Sequence, residues 1–244
     1  MKCLILAGGP GARTYPVNKD TAKALFPVRG RPAISHIINK VQSTEKVDEI
    51  FVISSQRFYP DFKEWLDGFA AEVPIRILND GSLNCKDSLG ALKCLNFAID
   101  SCSLDDDLLV IGGDNLFSFG LEEFIESSLA ARPNPSIGVF NLNGKTKPKK
   151  FGVVILGKEQ KVIDFYEKPP QLNGSCLISL CLYFLPKETL HLIKDYLKLY
   201  GNNGSIGNYI KWLIKQRQVK AFNFEGEWFG IGDVDSYADA VCLL

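Results

Sequence analysis

The chain is poor in histidine, poor in methionine and without excess charge of either sign. His36 and His191 are its only histidines, and Lys plus Arg equals Asp plus Glu at 28 each. Two histidines far apart in sequence do not readily assemble a histidine-rich zinc site or a Ser-His-Asp triad. A balanced charge offers no net field for nucleic acid or an anionic membrane, so any anion must be held by a local site. Long apolar runs are missing as well. Met1-Lys2 leads into Cys3-Leu4-Ile5-Leu6-Ala7 and then glycines, too short for a signal-peptide core or a membrane span, which points to the cytoplasm. The seven cysteines form no Cys-x-x-Cys pair. Cys3, Cys94, Cys181 and Cys242 sit in apolar runs, where a reduced thiol behaves as a small hydrophobe. No internal repeat, low-complexity tract or linker divides the sequence.

What is present suffices for one substantial core. At 244 residues and 46% hydrophobic content, the whole chain, 1–244, reads as one domain. Apolar runs at 2–6, 50–53, 74–78 and 108–111 read as strands buried on both faces. Helical patterns lie between them: Ile34, Ile37, Ile38 and Val41 after Pro32, then Leu92, Leu95 and Ile99. This alternation predicts a mainly parallel sheet with right-handed crossovers. After Asp114 the rhythm changes. A helix carrying Leu121, Phe124, Ile125 and Leu129 precedes strand-like runs at 136–142, 151–156, 161–167 and 176–185, read as antiparallel additions. Helices at 187–199 and 206–215 and a last strand at 219–224 follow. The basic stretch 145–150, with Pro148, reads as an exposed loop.

The first strand opens into Leu6-Ala7-Gly8-Gly9-Pro10-Gly11-Ala12-Arg13, at the sheet edge where α/β proteins place ligands. Glycines there let backbone N–H groups approach phosphate oxygens. The loop is neither of two familiar phosphate loops. It lacks the Gly-Lys-Ser/Thr of a Walker loop, and the dinucleotide fingerprint would need a glycine at Thr14 and an immediate helix, against which Pro16 and Pro27 argue. Arg13 and Lys23 follow, and Lys23-Ala24-Leu25-Phe26-Pro27-Val28 leads through Gly30 and Pro32 into the first long helix. Taken alone, the two cations could be solvated loop charges. Later, the apolar run 108–111 ends in Gly112-Gly113-Asp114-Asn115, placing a hard oxygen ligand at the same sheet edge; Asp114 could equally be a turn residue or a cap before Phe117.

The string Leu-Ala-Gly-Gly-x-Gly-x-Arg, then Pro, then Lys-x-Leu-x-Pro-Val-x-Gly-x-Pro resembles the signature of sugar-phosphate nucleotidyltransferases of the glucose-1-phosphate thymidylyltransferase type. The resemblance extends to about Tyr237. It implies a Rossmann-like three-layer α/β/α fold with a mixed sheet, mainly parallel with antiparallel additions. It also implies an enzyme that joins a nucleoside triphosphate to a sugar 1-phosphate and releases pyrophosphate. By that resemblance Leu6, Ala7, Gly8, Gly9, Gly11 and Gly90 surround the nucleotide, Arg13 and Lys23 bind its phosphates, and Asp114 holds Mg²⁺. Phe151-Gly152-Val153-Val154 and Phe165-Tyr166-Glu167-Lys168-Pro169 are similar to the family's sugar-phosphate motifs. Gly152 would let the backbone meet the sugar, Glu167 would accept from its hydroxyls and Lys168 would neutralise the attacking phosphate. The segment 179–184 loosely matches a strand that closes the sugar pocket.

Two departures touch chemistry. Asp87-Ser88-Leu89-Gly90-Ala91 replaces the family's Gly-Thr-Ala-Gly-Ala-like turn near the base. In Trp228-Phe229-Gly230-Ile231-Gly232, Gly230 stands where the family's Trp-x-Asp-x-Gly motif carries a second metal-binding Asp. Asp233 could reach the metal, but reads better as the cap of a helix over 234–241. The loss at Gly230 leaves a second reading, a nucleotide-binding or sugar-nucleotide-binding regulatory homologue with little or no catalysis. The expected partners are a nucleoside triphosphate and a sugar 1-phosphate, with no nucleic acid and no membrane. The preferred pair is glucose 1-phosphate with dTTP or UTP; mannose 1-phosphate with GTP stays open. The resemblance also implies a homo-oligomer. The chain ends soon after the last motif, leaving no room for the β-helix acyltransferase domain that some relatives append, so a stand-alone transferase is expected.

Overall fold

The computed structural model describes residues 1–9, 21–83, 89–142, 150–170, 177–201, 205–232 and 234–243. Its first half runs β1 (Lys2–Leu6), β2 (Pro27–Val28), β3 (Arg31–Pro32), α1 (Ala33–Gln42), β4 (Glu49–Ser54), α2 (Tyr59–Asp67), β5 (Ile75–Asn79), α3 (Ala91–Cys102) and β6 (Leu108–Gly112). The second half continues β7 (Asn115–Phe117), α4 (Glu122–Ala130), β8 (Ser136–Asn141), β9 (Gly152–Leu156), β10 (Val162–Glu167) and β11 (Leu177–Leu185). It closes with α5 (His191–Tyr200), α6 (Ile206–Gln216), β12 (Lys220–Phe224), β13 (Trp228–Gly230) and α7 (Val234–Leu243).

Successive strand side chains point to opposite faces, so a strand covered on both sides must be apolar throughout. In β1, Cys3 and Ile5 belong to one buried cluster with Ile34, Ile37 and Ile38 of α1, Phe62 of α2 and Phe124 of α4. Leu4, between them, belongs to another with Leu92 and Leu95 of α3, Ile193 of α5, and Ile210 and Leu213 of α6. The result is three layers, with α1, α2 and α4 on one face of the sheet and α3, α5 and α6 on the other.

The main sheet has the order β10-β9-β11-β6-β1-β4-β5, with β8 pairing β11 and β12. β6, β1, β4 and β5 are parallel. β11 runs antiparallel to β6, β8 and β9, and β9 antiparallel to β10. The final main-sheet strand differs from its predecessors, because β12 is parallel to β8. Two helices separate it from β11, so the chain re-enters the sheet where β11 left it: Phe184 and Lys220 both register with Ser136. Sequence patterning does not reveal α2, which buries only Phe62, nor the short β7–β13 ribbon that runs off the sheet edge.

Candidate active site

A cavity of about 260 Å³ lies beyond the end of β6. Lys23, Asp114, Gly152, Glu167 and Lys168 all line it, together with Cys181, Tyr183, Trp228 and Gly230. Residues from distant stretches of sequence converge here, and the reasons are local.

Asp114 sits in the turn between β6 and β7. Gly113 donates its N–H to Leu6 O at 2.9 Å, and a Cβ on Gly113 would stand 3.0 Å from that same oxygen and 3.2 Å from Ala7 Cα. A side chain at 113 would have to shift the backbone at the end of β1 by a few tenths of an ångström, so glycine suits this close approach. Asp114 then leads into a strand, not a helix, which removes the reading of it as a helix cap. Lys23 lies in a short 3-10 turn, Lys23–Leu25, and its Nζ is 3.7 Å from Asp114 Oδ2. The lysine side chain is 11% exposed and the aspartate 45%, so the ammonium is held within the wall while the carboxylate reaches into the opening.

The far side of the turn is fixed by β13. Gly230 registers with Asn115, and Ile231 N donates to Asp114 O at 2.9 Å. Asn115 is buried and acts as a staple: its Nδ2 donates to Leu180 O and Cys181 O of β11, and its Oδ1 accepts from Trp228 Nε1 at 3.1 Å. Behind this wall, Tyr237 of α7 donates to Pro27 O at 2.6 Å and packs edge-on against Phe26, just after Lys23.

The opposite wall comes from β9, β10 and β11. Glu167 registers with Gly152 at the end of β10, and Lys168 N donates to Phe151 O at 3.1 Å. Lys168 has φ +45°, a left-handed conformation uncommon outside glycine, and its Nζ is 3.6 Å from Glu167 Oε1. The space a side chain at Gly152 would need is taken by the Phe165 ring, whose Cε1 would lie 2.8 Å from a Cβ. In β11 the register with β8 shifts between Ser179 and Tyr183, and Cys181 has φ +52°. That kink carries the Cys181 thiol to the cavity, where Sγ would be 3.2 Å from a Cβ at Gly112. Desolvation, helped by the nearby Asp114 carboxylate, pushes this thiol up to about 12. Tyr183, whose hydroxyl is 3.3 Å from Ser179 Oγ, is likewise raised well above the ordinary tyrosine value by burial. Both are neutral hydrogen-bonding groups at physiological pH, not nucleophiles.

Of the residues singled out from sequence, Leu6, Ala7, Gly8 and Gly9 leave β1 among the ends of the parallel strands. Ala7 N donates to Ile53 O at 2.9 Å, and a Cβ on Gly8 would lie 3.4 Å from Ser55 N. These four do not line the cavity itself. Gly90, with φ +78°, begins α3 and also stands outside the lining. Gly11, Arg13 and Asp233 lie outside the described residues. Sequence reasoning reads Cys181 as a small hydrophobe in an apolar run, and gives Asn115 and Trp228 no role of their own inside the motifs that contain them. Asn115 directly follows the carboxylate and could have drawn notice, whereas nothing in the sequence brings Trp228 to it.

The donor set for a divalent cation is small. No group of three or more His, Cys, Asp or Glu side chains is gathered among the described residues. Gly230 offers no side-chain oxygen, and a Cβ there would meet the Trp228 indole at 3.1 Å. Asp114 is thus the carboxylate at the wall that Lys23 and Gly230 share. That suits an ion such as Mg²⁺, which is held by one or two carboxylates plus substrate phosphates and water, better than an ion caged by protein alone.

The model of the nucleotidyl transferase family matches residues 2–244. The chain belongs to this family. Among its relatives is the "Bifunctional protein GlmU" of Methanocaldococcus jannaschii, 29% identical over 95% of this chain and 51% of that protein. Another is the "Bifunctional sugar-1-phosphate nucleotidylyltransferase/acetyltransferase" of Sulfurisphaera tokodaii, 27% identical over 95% of this chain and 52% of that one. The chain spans about half the length of these curated relatives. A crystal structure from Bacillus anthracis, described as a candidate glucose-1-phosphate thymidylyltransferase in complex with sucrose, superposes with a TM-score of 0.84 at 25% identity. The match covers 100% of this chain and 94% of that one. The nucleotidyl transferase fold is therefore the Rossmann-like mixed sheet expected from the sequence.

Proposed function

We propose that this chain, acting as one nucleotidyltransferase domain over 1–244, joins a nucleoside triphosphate to a sugar 1-phosphate and releases pyrophosphate. The observation that carries the reading is the single cavity in which Lys23 and Asp114 face Glu167 and Lys168. Two anions that repel one another need cations on both sides and a carboxylate able to hold a cation between them. The printed names of the family relatives support the same reaction class.

The reaction is a direct displacement. An oxygen of the sugar 1-phosphate forms a bond to the α-phosphorus of the triphosphate, the bond to the bridging oxygen on the β side breaks, and pyrophosphate leaves with the electron pair. No protein nucleophile is needed, so catalysis comes from positioning and charge stabilisation. Lys23 binds the phosphates of the nucleotide, together with Arg13. Lys168 draws in the sugar phosphate and Glu167 accepts hydrogen bonds from sugar hydroxyls. Asp114 is the residue that would hold Mg²⁺, whose chemistry when bound is to neutralise charge on the triphosphate oxygens. The Gly8–Gly9 backbone and Gly90 flank the nucleotide. We take glucose 1-phosphate with dTTP or UTP as the preferred pair and the cytoplasm as the compartment, the described cysteines being free thiols. No helix among the described residues is long and apolar enough to cross a membrane.

A second reading rests on Gly230. Because that position supplies no carboxylate, the cavity could bind nucleotide or nucleotide sugar for regulation without turning it over. A matrix of nucleoside triphosphates against sugar 1-phosphates, read by Mg²⁺-dependent pyrophosphate release, separates the two. Turnover with one pair supports the transferase. Nucleotide binding with no turnover anywhere in the matrix, and turnover gained by Gly230→Asp, supports the regulatory reading and defeats the first.

A further inference from the structure

The geometry points to Gly207, in the first turn of α6, as the residue that positions Glu167 in the cavity. The inference rests on the proposed role of Glu167 toward the sugar. Ser205 caps α6, its hydroxyl accepting from Asn208 N at 3.1 Å, and the first residue of the helix, Ile206, lines the cavity. Gly207 follows, buried against the end of β10. A Cβ at this position would collide with Glu167 Oε2 and would lie 2.9 Å from Glu167 Cδ and 2.8 Å from Phe165 Cε1. The carboxylate therefore occupies the volume that any other residue at 207 would fill.

Three consequences follow from that packing. The Glu167 side chain is 25% exposed and makes an ion pair with Lys168 at 3.6 Å through Oε1, so its other oxygen is the one seated on the glycine. A carboxylate at the start of a helix also stands at the positive end of the helix dipole, an attraction that helps to hold it there. Finally, the groups that would give way differ in mobility. Phe165 is buried and its ring is also pressed against Gly152, whereas Glu167 is the free end of a flexible side chain. A methyl group at 207 would displace the carboxylate first, because the Phe165 ring, 2.8 Å from that Cβ, has less room to give. Gly207 thus acts through Glu167, as a positioning residue for the sugar side, and this explains a glycine in a helical turn where it otherwise weakens the helix.

The test uses the full chain with glucose 1-phosphate and dTTP, each varied at saturating concentration of the other, and calorimetric binding of glucose 1-phosphate alongside. Gly207→Ala is expected to raise KM for glucose 1-phosphate roughly tenfold or more, as for a displaced charged hydrogen-bond partner, while KM for dTTP stays near its original value. Glu167→Ala should raise the same KM, and adding Gly207→Ala to it should change nothing further. If Gly207→Ala keeps the original KM while Glu167→Ala raises it, or if the two effects add, Gly207 has no positioning role and the proposed function stands untouched. If Glu167→Ala leaves glucose 1-phosphate KM and binding unchanged, the role of Glu167 falls and this inference falls with it. Should Gly207→Ala fail to fold, the double variant decides: folding restored by removing the carboxylate supports the contact, and continued failure assigns the clash to Phe165 and overturns the proposal.

Discussion

The parallel and antiparallel parts of the sheet reach the same cavity by different means. β1 keeps unbroken register with its neighbours, Lys2 to Leu6 matching Glu49 to Ile53 on one side and Leu108 to Gly112 on the other. β10 and β11 do not. Their pairings shift at Val162/Asp164 and at Ser179/Tyr183, and left-handed backbone occurs at Lys168 and Cys181. In the regular part, function sits in the turns that follow the strands, so the buried centres of β1, β4 and β6 can be apolar. In the irregular part, the strands themselves turn side chains into the hollow, and bulges are a common way to re-aim them beside an active site. Regularity thus marks the side proposed for the nucleotide, and distortion the side proposed for the sugar.

This division can be broken experimentally. The largest effect should come from the regular side. Lys23→Ala is expected to lower kcat about a hundredfold to a thousandfold, as when one preorganised charge-stabilising donor is removed, with much less change in KM for the sugar phosphate. Lys168→Ala should do the reverse, raising KM for the sugar phosphate roughly ten- to a hundredfold, the worth of one charge-assisted hydrogen bond. Steady-state kinetics with each substrate varied in turn checks both. If the two variants show the same pattern, the division of labour is gone.

A third test separates architecture from chemistry. A Cβ at Gly138 in β8 would lie 2.8 Å from Leu182 Cδ2 and 2.9 Å from Phe224 Cε2. Gly138→Ala should therefore cost about 1–3 kcal/mol in denaturant unfolding, the range for an overpacked core, and leave both KM values alone. A change in KM without loss of stability would show that β8 senses substrate.

The smallest effect concerns Cys181. Its thiol keeps its proton up to about 12 in the folded protein, against an ordinary 9.0. An unfolded chain would ionise first, so this group lowers stability as pH rises above 9 and contributes nothing to the pH dependence below it. Iodoacetamide at pH 8, followed by peptide mass analysis, should label Cys181 much more slowly than the exposed Cys242. Rapid labelling at Cys181 would mean that the thiol is less desolvated than its place between Asp114 and Gly112 implies.

How much of this was legible depends on the kind of order involved. β1, β4 and β6 announce themselves because burial on both faces favours an unbroken apolar run at their centres, and α1 because Ile34, Ile37, Ile38 and Val41 share one helical face. The strands β8 to β11 could also be found, although the two-helix return that makes β12 parallel to β8 carries no local signature. Lys23, Asp114, Glu167 and Lys168 stood out through charge set beside glycine or proline in ordered motifs. Asn115 and Trp228 did not, because their meaning is a contact across more than a hundred residues of chain, with Asn115 further bonded to Leu180. Gly230 was noticed for the acid it lacks, and only the packing shows the indole beside it.

The staple at Asn115 has a consequence in time as well as space. Every strand of the main sheet is made before Trp228 leaves the ribosome, yet the wall of the hollow still lacks Trp228, Gly230 and the helix whose Tyr237 braces the turn bearing Lys23. A chain cut after Phe224 would therefore keep every strand of the main sheet and lose the part of the pocket that Trp228, Gly230 and Tyr237 build or brace.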